Sequence, residues 1–465
     1  MLTYNFTGIG KDSMYEYLYK CIKEDILAGK LMAGEKLPSK RSFARNLGVS
    51  VITVENAYGQ LMAEGYIYSL PKKGFYVSEV RDVRYDHERK SREESAVLSQ
   101  EKVTYLADFS SNQTDTEVFP FTIWTKTMRE IMSGNQEQLM TNAPSAGILE
   151  LRQSIASYLQ DFRGMNVRPE QIVVGAGTEY LYSLLIQLLG RNVRYGLENP
   201  GYHKIAKMCH RMEVPYCYVN LDKDGITVKE LEEKEVDVIH ISPSHHFPTG
   251  IVMPISRRYE LLGWASRKAE RYIIEDDYDS ELRLAGKPIP TLQSIDLSDQ
   301  VIYMNTFTKT LCSTVRISYM VLPEPLAVRF YQELSFYSCT VSNFEQYTLA
   351  RFIESGSFEK HLNRLRNFYQ NKRDRILEVF CRKPLGERIT IMEEDAGLHF
   401  LMKIKSDRSQ EEIVSAALQE GIKLVPMSGY YIGEEKHYDH IYVMNYSSIR
   451  IDQIEDIAWS LSKIL

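Results

Sequence analysis

Apolar residues near the start of the chain recur every three or four positions. Tyr15, Leu18, Tyr19, Ile22 and Ile26 form one such series, which predicts an amphipathic helix over 14–28. In "LPSKRSFARNLGVS", Ser39 can cap a second helix whose inner face is Phe43, Ala44 and Leu47. Gly48 supplies a tight turn. Ser50 then caps a third helix running to Glu64, with Val54, Ala57, Tyr58, Leu61 and Met62 on one face and Gly65 at its end. "YIYSLPKKGFYV" reads as two short strands about a turn. Helix, turn, helix and hairpin make a winged helix-turn-helix, whose third helix would enter the major groove of DNA. The same apolar pattern would serve any three-helix domain.

From about residue 107 the pattern changes. Short apolar runs alternate with helical stretches, as in an α/β domain. "QIVVGAG", "VDVIHISPS", "RYIIEDD" and "VIYMNTF" are strand candidates, each ending at a polar or glycine-bearing turn. Between the two zones, residues 81–102 hold 12 charged residues and no Gly or Pro, a composition suited to a solvated linker. The expected organisation is a reader domain over 1–80, a charged linker over 81–106 and an α/β domain over 107–465.

Composition narrows the class. The chain has 465 residues, 44% hydrophobic and 25% charged, enough for several globular cores. Net charge is −6, so the whole chain is not a generic polyanion binder. Residues 1–80, however, carry 10 Lys/Arg against 8 Asp/Glu, or +2. Lys36, Lys40, Arg41, Arg45, Lys72 and Lys73 fall near turns, where phosphates could be met. Six scattered cysteines with no C-x-x-C pair suit free thiols in a reducing cytosol. "MLTYNFTGIGKD" has neither a basic start nor an apolar run, and no stretch approaches a membrane span, so a cytoplasmic protein is expected.

"NTFTKTLCSTVRISYM" places Lys309 among small hydroxyl residues, with Arg316 seven positions on. Such a lysine is either a snorkelling surface residue or a desolvated amine kept for chemistry. "RYIIEDDYDSEL" puts Asp276 and Tyr278 at a strand end, where a carboxylate and a phenol could hold a pyridinium nitrogen and a phenolate oxygen. "VVGAGTEYL" leads through Gly177 and Thr178 from strand to helix, a turn whose free amides suit a phosphate. "ENPGYH" offers Tyr202 for stacking on a flat ring. Each has a plain alternative: acid runs are usually solvated, glycine turns are common, and a lone tyrosine usually packs.

Together and in this order, these motifs resemble fold-type I aminotransferases, which hold pyridoxal 5'-phosphate on a lysine. The likeness extends over about 107–465 and includes "SPSHHFPTG". It implies that Lys309 carries the cofactor, Asp276 pairs with the ring nitrogen, Tyr278 bonds the ring hydroxyl and Tyr202 stacks on the ring. Gly177, Thr178, Thr306, Thr308 and Arg316 would surround the phosphate. A desolvated lysine beside cations has a lowered pKa and is a better nucleophile.

The stretch from Leu37 to Val77 resembles the GntR family of bacterial regulators, matching at Ser39, Arg41, Gly48, Ser50, Thr53, Tyr58, Gly65 and Gly74 among others. The resemblance implies DNA contacts from Ser39, Arg41, Ser50 and Thr53, and backbone or minor-groove contacts at Lys73 and Gly74. Where that family usually has an arginine, this chain has Val51, followed by Ile52. Those side chains can meet thymine methyls but cannot read guanine, so an A·T-leaning contact is expected there. Lys40 is expected to restore some phosphate attraction.

A GntR-like reader joined to an aminotransferase-like domain resembles the MocR/GabR-type regulators. That implies a homodimer on two DNA half-sites, sensing an amino compound or pyridoxal phosphate itself, with transamination at most partial or slow. The alternative is an aminotransferase with an accessory DNA-binding domain; a third reading is a domain that has lost the cofactor. Two departures from the aminotransferase pattern favour the regulator. Phe247 stands where an asparagine normally precedes Pro-Thr-Gly, with His246 beside it where the regulators commonly have glutamine. No arginine occurs between Arg408 and Arg450, leaving Lys423, Lys436 or an inward-swinging Arg450 as a carboxylate clamp.

Overall fold

The computed structural model describes residues 2–6, 9, 12–79, 104–134, 136–284, 289–395, 397–433 and 438–465. The chain divides into two compact units, Met1–Lys102 and Val103–Leu465. Residues 80–103, most of the expected linker, lie outside the described residues.

The smaller unit is three helices and a hairpin: α1 (Met14–Leu27), α2 (Lys40–Leu47), α3 (Val51–Ala63), β1 (Ile67–Leu70) and β2 (Gly74–Val77). The Ser39 hydroxyl accepts the Ser42 amide, and the Ser50 hydroxyl accepts the Thr53 amide. Each serine satisfies a helix-end donor that would otherwise lack a partner. Gly48 ends α2 at φ +69°, a conformation that costs glycine little. Leu18, Ile22, Phe43, Val54, Ala57, Tyr58 and Leu61 close the core. Met62 departs from the expected inner face. It is 36% exposed, because the helix turns it past the edge of the apolar stripe.

The larger unit is built on an eight-stranded sheet in the order β4-β11-β10-β9-β8-β5-β6-β7. These are β4 (Ile172–Gly175), β5 (Tyr195–Asn199), β6 (Tyr216–Asp222), β7 (Gly225–Ile226), β8 (Val238–Ile241), β9 (Tyr272–Asp276), β10 (Val301–Thr306) and β11 (Ser318–Val321). Neighbours from β10 through β6 are parallel; β11 and β7 run against their partners. Parallel strands covered on both faces read as continuous apolar runs, and β8 and β10 are buried along their whole length; the antiparallel β4 and β11 are buried as fully. A second, antiparallel sheet contains β13 (His399–Ile404) and β16 (Ile441–Asn445). A short strand, β3 (Ala107–Asp108), pairs in parallel with β14 (Ile422–Lys423). In open α/β sheets, ligands bind beyond the carboxyl ends of the strands. Here Gly175, Asn199, Ile241, Asp276 and Thr306 are those ends.

Candidate functional site

A cavity of ≈ 360 Å³ lies at these strand ends. Lys309, Asp276, Tyr278, Tyr202, Gly177, Thr178, Thr306, Thr308 and Arg316 all line it.

Lys309 follows β10 through the turn after Thr306. It is 7% exposed, and its Nζ donates to the Asn112 carbonyl at 2.6 Å and to the Asn112 side-chain oxygen. Burial pulls its amine down to about 8, against the opposing charge of Asp279. The alternative of a snorkelling surface residue is therefore excluded. Asn445, the last residue of β16, donates to the same Asn112 oxygen at 2.9 Å.

Asp276 ends β9. Its Oδ2 lies 3.6 Å from His240 Nε2, and its buried Oδ1 has no hydrogen-bond partner among the described residues. His240 points from β8 and packs edge-on against Tyr182. Tyr278 places its hydroxyl 3.3 Å from His245 Nδ1, and burial together with the neighbouring aspartates pushes its phenol up. Tyr202 is 48% exposed and meets Phe247 edge-on at 6.2 Å.

The other end of the cavity is a cup of backbone, hydroxyls and cations. Gly177 caps helix α4 (Thr178–Leu189) at φ +97°. A Cβ there would run into the Arg316 guanidinium and come to 2.7 Å from a Glu179 oxygen. The Thr306 and Thr308 hydroxyls are 2.7 Å apart, and Ser318 donates to Thr306. Arg316 sits at φ +51°, unusual for a residue with a side chain, and donates to Glu179 at 2.8 Å.

Phe247 packs between Tyr202, His399 and Tyr430, presenting only carbon to the cavity. His246 turns away from it. Its Nδ1 meets the Thr249 hydroxyl at 2.6 Å and its Nε2 lies 3.4 Å from Glu198. Burial lowers His246 to about 3 and raises Glu198 to about 8, so at neutral pH this is a contact between uncharged groups rather than an ion pair. Arg450 does not swing inward: it is exposed, paired with Asp452 at 2.6 Å, and is not among the residues lining the cavity. Lys423 faces Asp108 and the Tyr105 ring instead. Lys436 lies outside the described residues.

The acid run "EDDYDSE" is not solvated. Glu275 accepts two backbone amides, from Leu292 and Gln293. Asp277 holds Arg163, Tyr303 and Ser280; Asp279 meets His245; Glu281 accepts from Asn305. Sequence reasoning missed Asn112, Glu179, Glu198, Lys204, His240, His399 and Asn445, all of which line the cavity. His240 alone left a trace, as the polar residue inside the apolar run of β8.

On the smaller unit, Ser39, Arg41, Ser50, Val51 and Lys73 are exposed, while Lys40, Thr53 and Gly74 are half-buried. Arg41 makes no ion pair among the described residues. Lys40 is paired with Glu55 at 2.6 Å and lies over the Phe75 ring.

The fold and cavity define a winged-helix DNA reader joined to an aminotransferase-type α/β unit. Residues 105–444 match the family Aminotransferase class I and II, and residues 14–77 match the bacterial regulatory proteins of the gntR family. The chain is 38% identical over 415 residues to the uncharacterized HTH-type transcriptional regulator YdeL of Bacillus subtilis, covering 89% of each. It is 31% identical over 431 residues to the probable rhizopine catabolism regulatory protein MocR of Rhizobium meliloti, covering 89% of this chain and 86% of that one. A kynurenine aminotransferase of Pyrococcus horikoshii, solved in complex with PMP, superimposes with a TM-score of 0.67 at 23% identity, over 81% of this chain and 95% of that one. The protein belongs to the MocR/GabR-type regulators, HTH-type transcription factors of the GntR family with an aminotransferase-like domain.

Proposed function

We propose that this protein regulates transcription from DNA while holding pyridoxal phosphate in the cavity, and that an amino compound or the cofactor itself is the signal. The observation that carries the reading is Lys309, a buried amine lowered to about 8, facing the same cavity as the unpartnered Asp276 oxygen and the Gly177 cup. The donor set fits the group. Pyridoxal phosphate supplies an electrophilic carbonyl and an electron-withdrawing ring. Lys309 would hold it covalently, and Asp276, steadied by His240, would keep a proton on the ring nitrogen. Tyr278 would bond the ring oxygen and Tyr202 would cover one ring face. Gly177, Thr178, Thr306, Thr308 and Arg316 would hold the phosphate.

Ser39, Arg41, Ser50, Val51 and Thr53 would face the DNA, with Lys73 and Gly74 at its backbone or minor groove. Two chains would read two half-sites, in the cytoplasm where DNA is met. Among the described residues no helix is long and apolar enough to cross a membrane. The low amine pKa of Lys309 also favours a second reading, slow transamination. Phe247 weighs against efficient turnover, because it offers a ring hydroxyl no hydrogen bond.

The first test is the visible absorbance spectrum of protein purified with pyridoxal phosphate, beside Lys309→Ala. A band from lysine-bound cofactor, absent in the variant, is expected. No band at saturating cofactor sinks both readings. Keto acid accumulating over many turnovers would favour the enzyme; one stoichiometric half-reaction that stalls favours the sensor.

A further inference from the structure

The phosphate end of the cavity already contains a carboxylate. Glu179, the second residue of α4, accepts from Arg316 at 2.8 Å through one oxygen and from Lys204 through the other. Glu179, Lys204 and Arg316 all line the cavity, beside Gly177 and Thr178. Burial alone would raise the Glu179 carboxyl, but the hydrogen bond and charge of Lys204, the residue's own backbone amide and the hydrogen bond from Arg316 together outweigh it and bring it to about 2. The group is charged at any physiological pH, so protonation cannot clear it from the cations. A negative residue in the first turn of a helix is favoured by the helix dipole. The dipole does not, however, require that residue to hold two cations on the cavity wall. The three side chains sum to +1, where Arg316 and Lys204 without Glu179 would present +2 to an incoming phosphate dianion.

We propose, building on the cofactor reading above, that Glu179 is an internal competitor for the cofactor's phosphate and that Lys204 is a second phosphate-binding cation. Glu179 holds Arg316 and Lys204 in the free protein and yields them to the phosphate. The retained carboxylate keeps the cofactor exchangeable, so that occupancy follows supply. A site that must report a concentration needs an affinity near that concentration rather than the tightest one available.

The test uses full-length apo protein titrated with pyridoxal phosphate and, separately, with pyridoxal, which lacks the phosphate. Visible absorbance reads uptake of each. Glu179→Gln should bind pyridoxal phosphate about three- to tenfold tighter, the scale of a partly exposed charge contact. Its affinity for pyridoxal should not change. Lys204→Gln should weaken pyridoxal phosphate several-fold and leave pyridoxal alone. Glu179→Asp, which keeps the charge, should stay near the native affinity. Inorganic phosphate should compete with cofactor uptake more strongly in Glu179→Gln than in the native protein. The proposal is overturned if Glu179→Gln binds pyridoxal phosphate no more tightly, or if both ligands shift equally, which would mark a general change in the cavity. If the native protein takes up neither ligand, the cofactor reading itself fails and this inference falls with it. If it takes up both and only the variants disagree, the cofactor reading stands and the role of Glu179 does not.

Discussion

The two units handle charge in opposite ways. In the reader, Arg41 and Lys73 stand in solvent, and pairs such as Lys20–Asp12 and Lys40–Glu55 lie at the surface. In the aminotransferase-like unit, Lys309, Glu198, Glu275, Asp277 and Asp279 are all buried, and each shows its setting in a contact or a shifted proton affinity. Exposed charges interact through water and are screened by salt, whereas buried ones are screened far less. The difference assigns each unit its own control variable: ionic strength for the reader, pH for the cavity.

Lys309→Ala is the sharpest test of that separation. It should abolish the visible cofactor band completely while leaving the salt dependence of DNA binding, read by fluorescence anisotropy, close to native. Raising salt from about 50 to 200 mM should then weaken DNA binding on the order of a thousandfold through counterion release, with cofactor uptake little affected. A cavity that lost cofactor in step with DNA would break the comparison.

The pH response should come from the larger unit. Burial raises Glu198 to about 8 and Glu275 to about 7, and burial beside Asp277 also raises Glu281. The folded protein therefore keeps protons that the unfolded chain releases, so stability is lost as pH rises through these values. Between pH 6.5 and 8 the loss should be about 2 kcal/mol, followed by denaturant unfolding of the larger unit. Above pH 8, Lys309 works in the other direction, because its folded value lies below its ordinary one. The smallest effect is Arg41→Ala, which should weaken DNA binding about tenfold and leave cofactor uptake intact. Loss of both would mean the variant had misfolded.

The reader was legible almost residue by residue, because its signals are local. Ser39 and Ser50 cap, Gly48 and Gly65 turn, and apolar spacing gives the core. The strands of the larger unit were legible too, since apolar runs ending at Gly175, Asp276 and Thr306 mark a sheet and the edge that bears the cavity. What stayed hidden is what depends on neighbours distant in the chain. Lys40 looked free in sequence, but Glu55 lies one helix away. Arg450 looked available, but its own Asp452 holds it at the surface. The acid run resembled a solvated turn because nothing in it announces Arg163, which arrives from 114 positions away. Glu179 was in plain view beside Thr178, yet its meaning required Arg316 and Lys204 to be placed on it.

The contact that steadies Lys309 also sets an order of assembly. Asn112 accepts the lysine amine, and Asn445, 333 positions further along, donates to the same oxygen. Such a pairing closes a very long loop, so it forms late in folding. On the ribosome the reader emerges first and can fold by itself around its own core. The wall of the cavity behind Lys309 is finished only when β16 has been made. During each round of synthesis there is an interval in which the chain holds a folded winged-helix unit and an unfinished aminotransferase-like one.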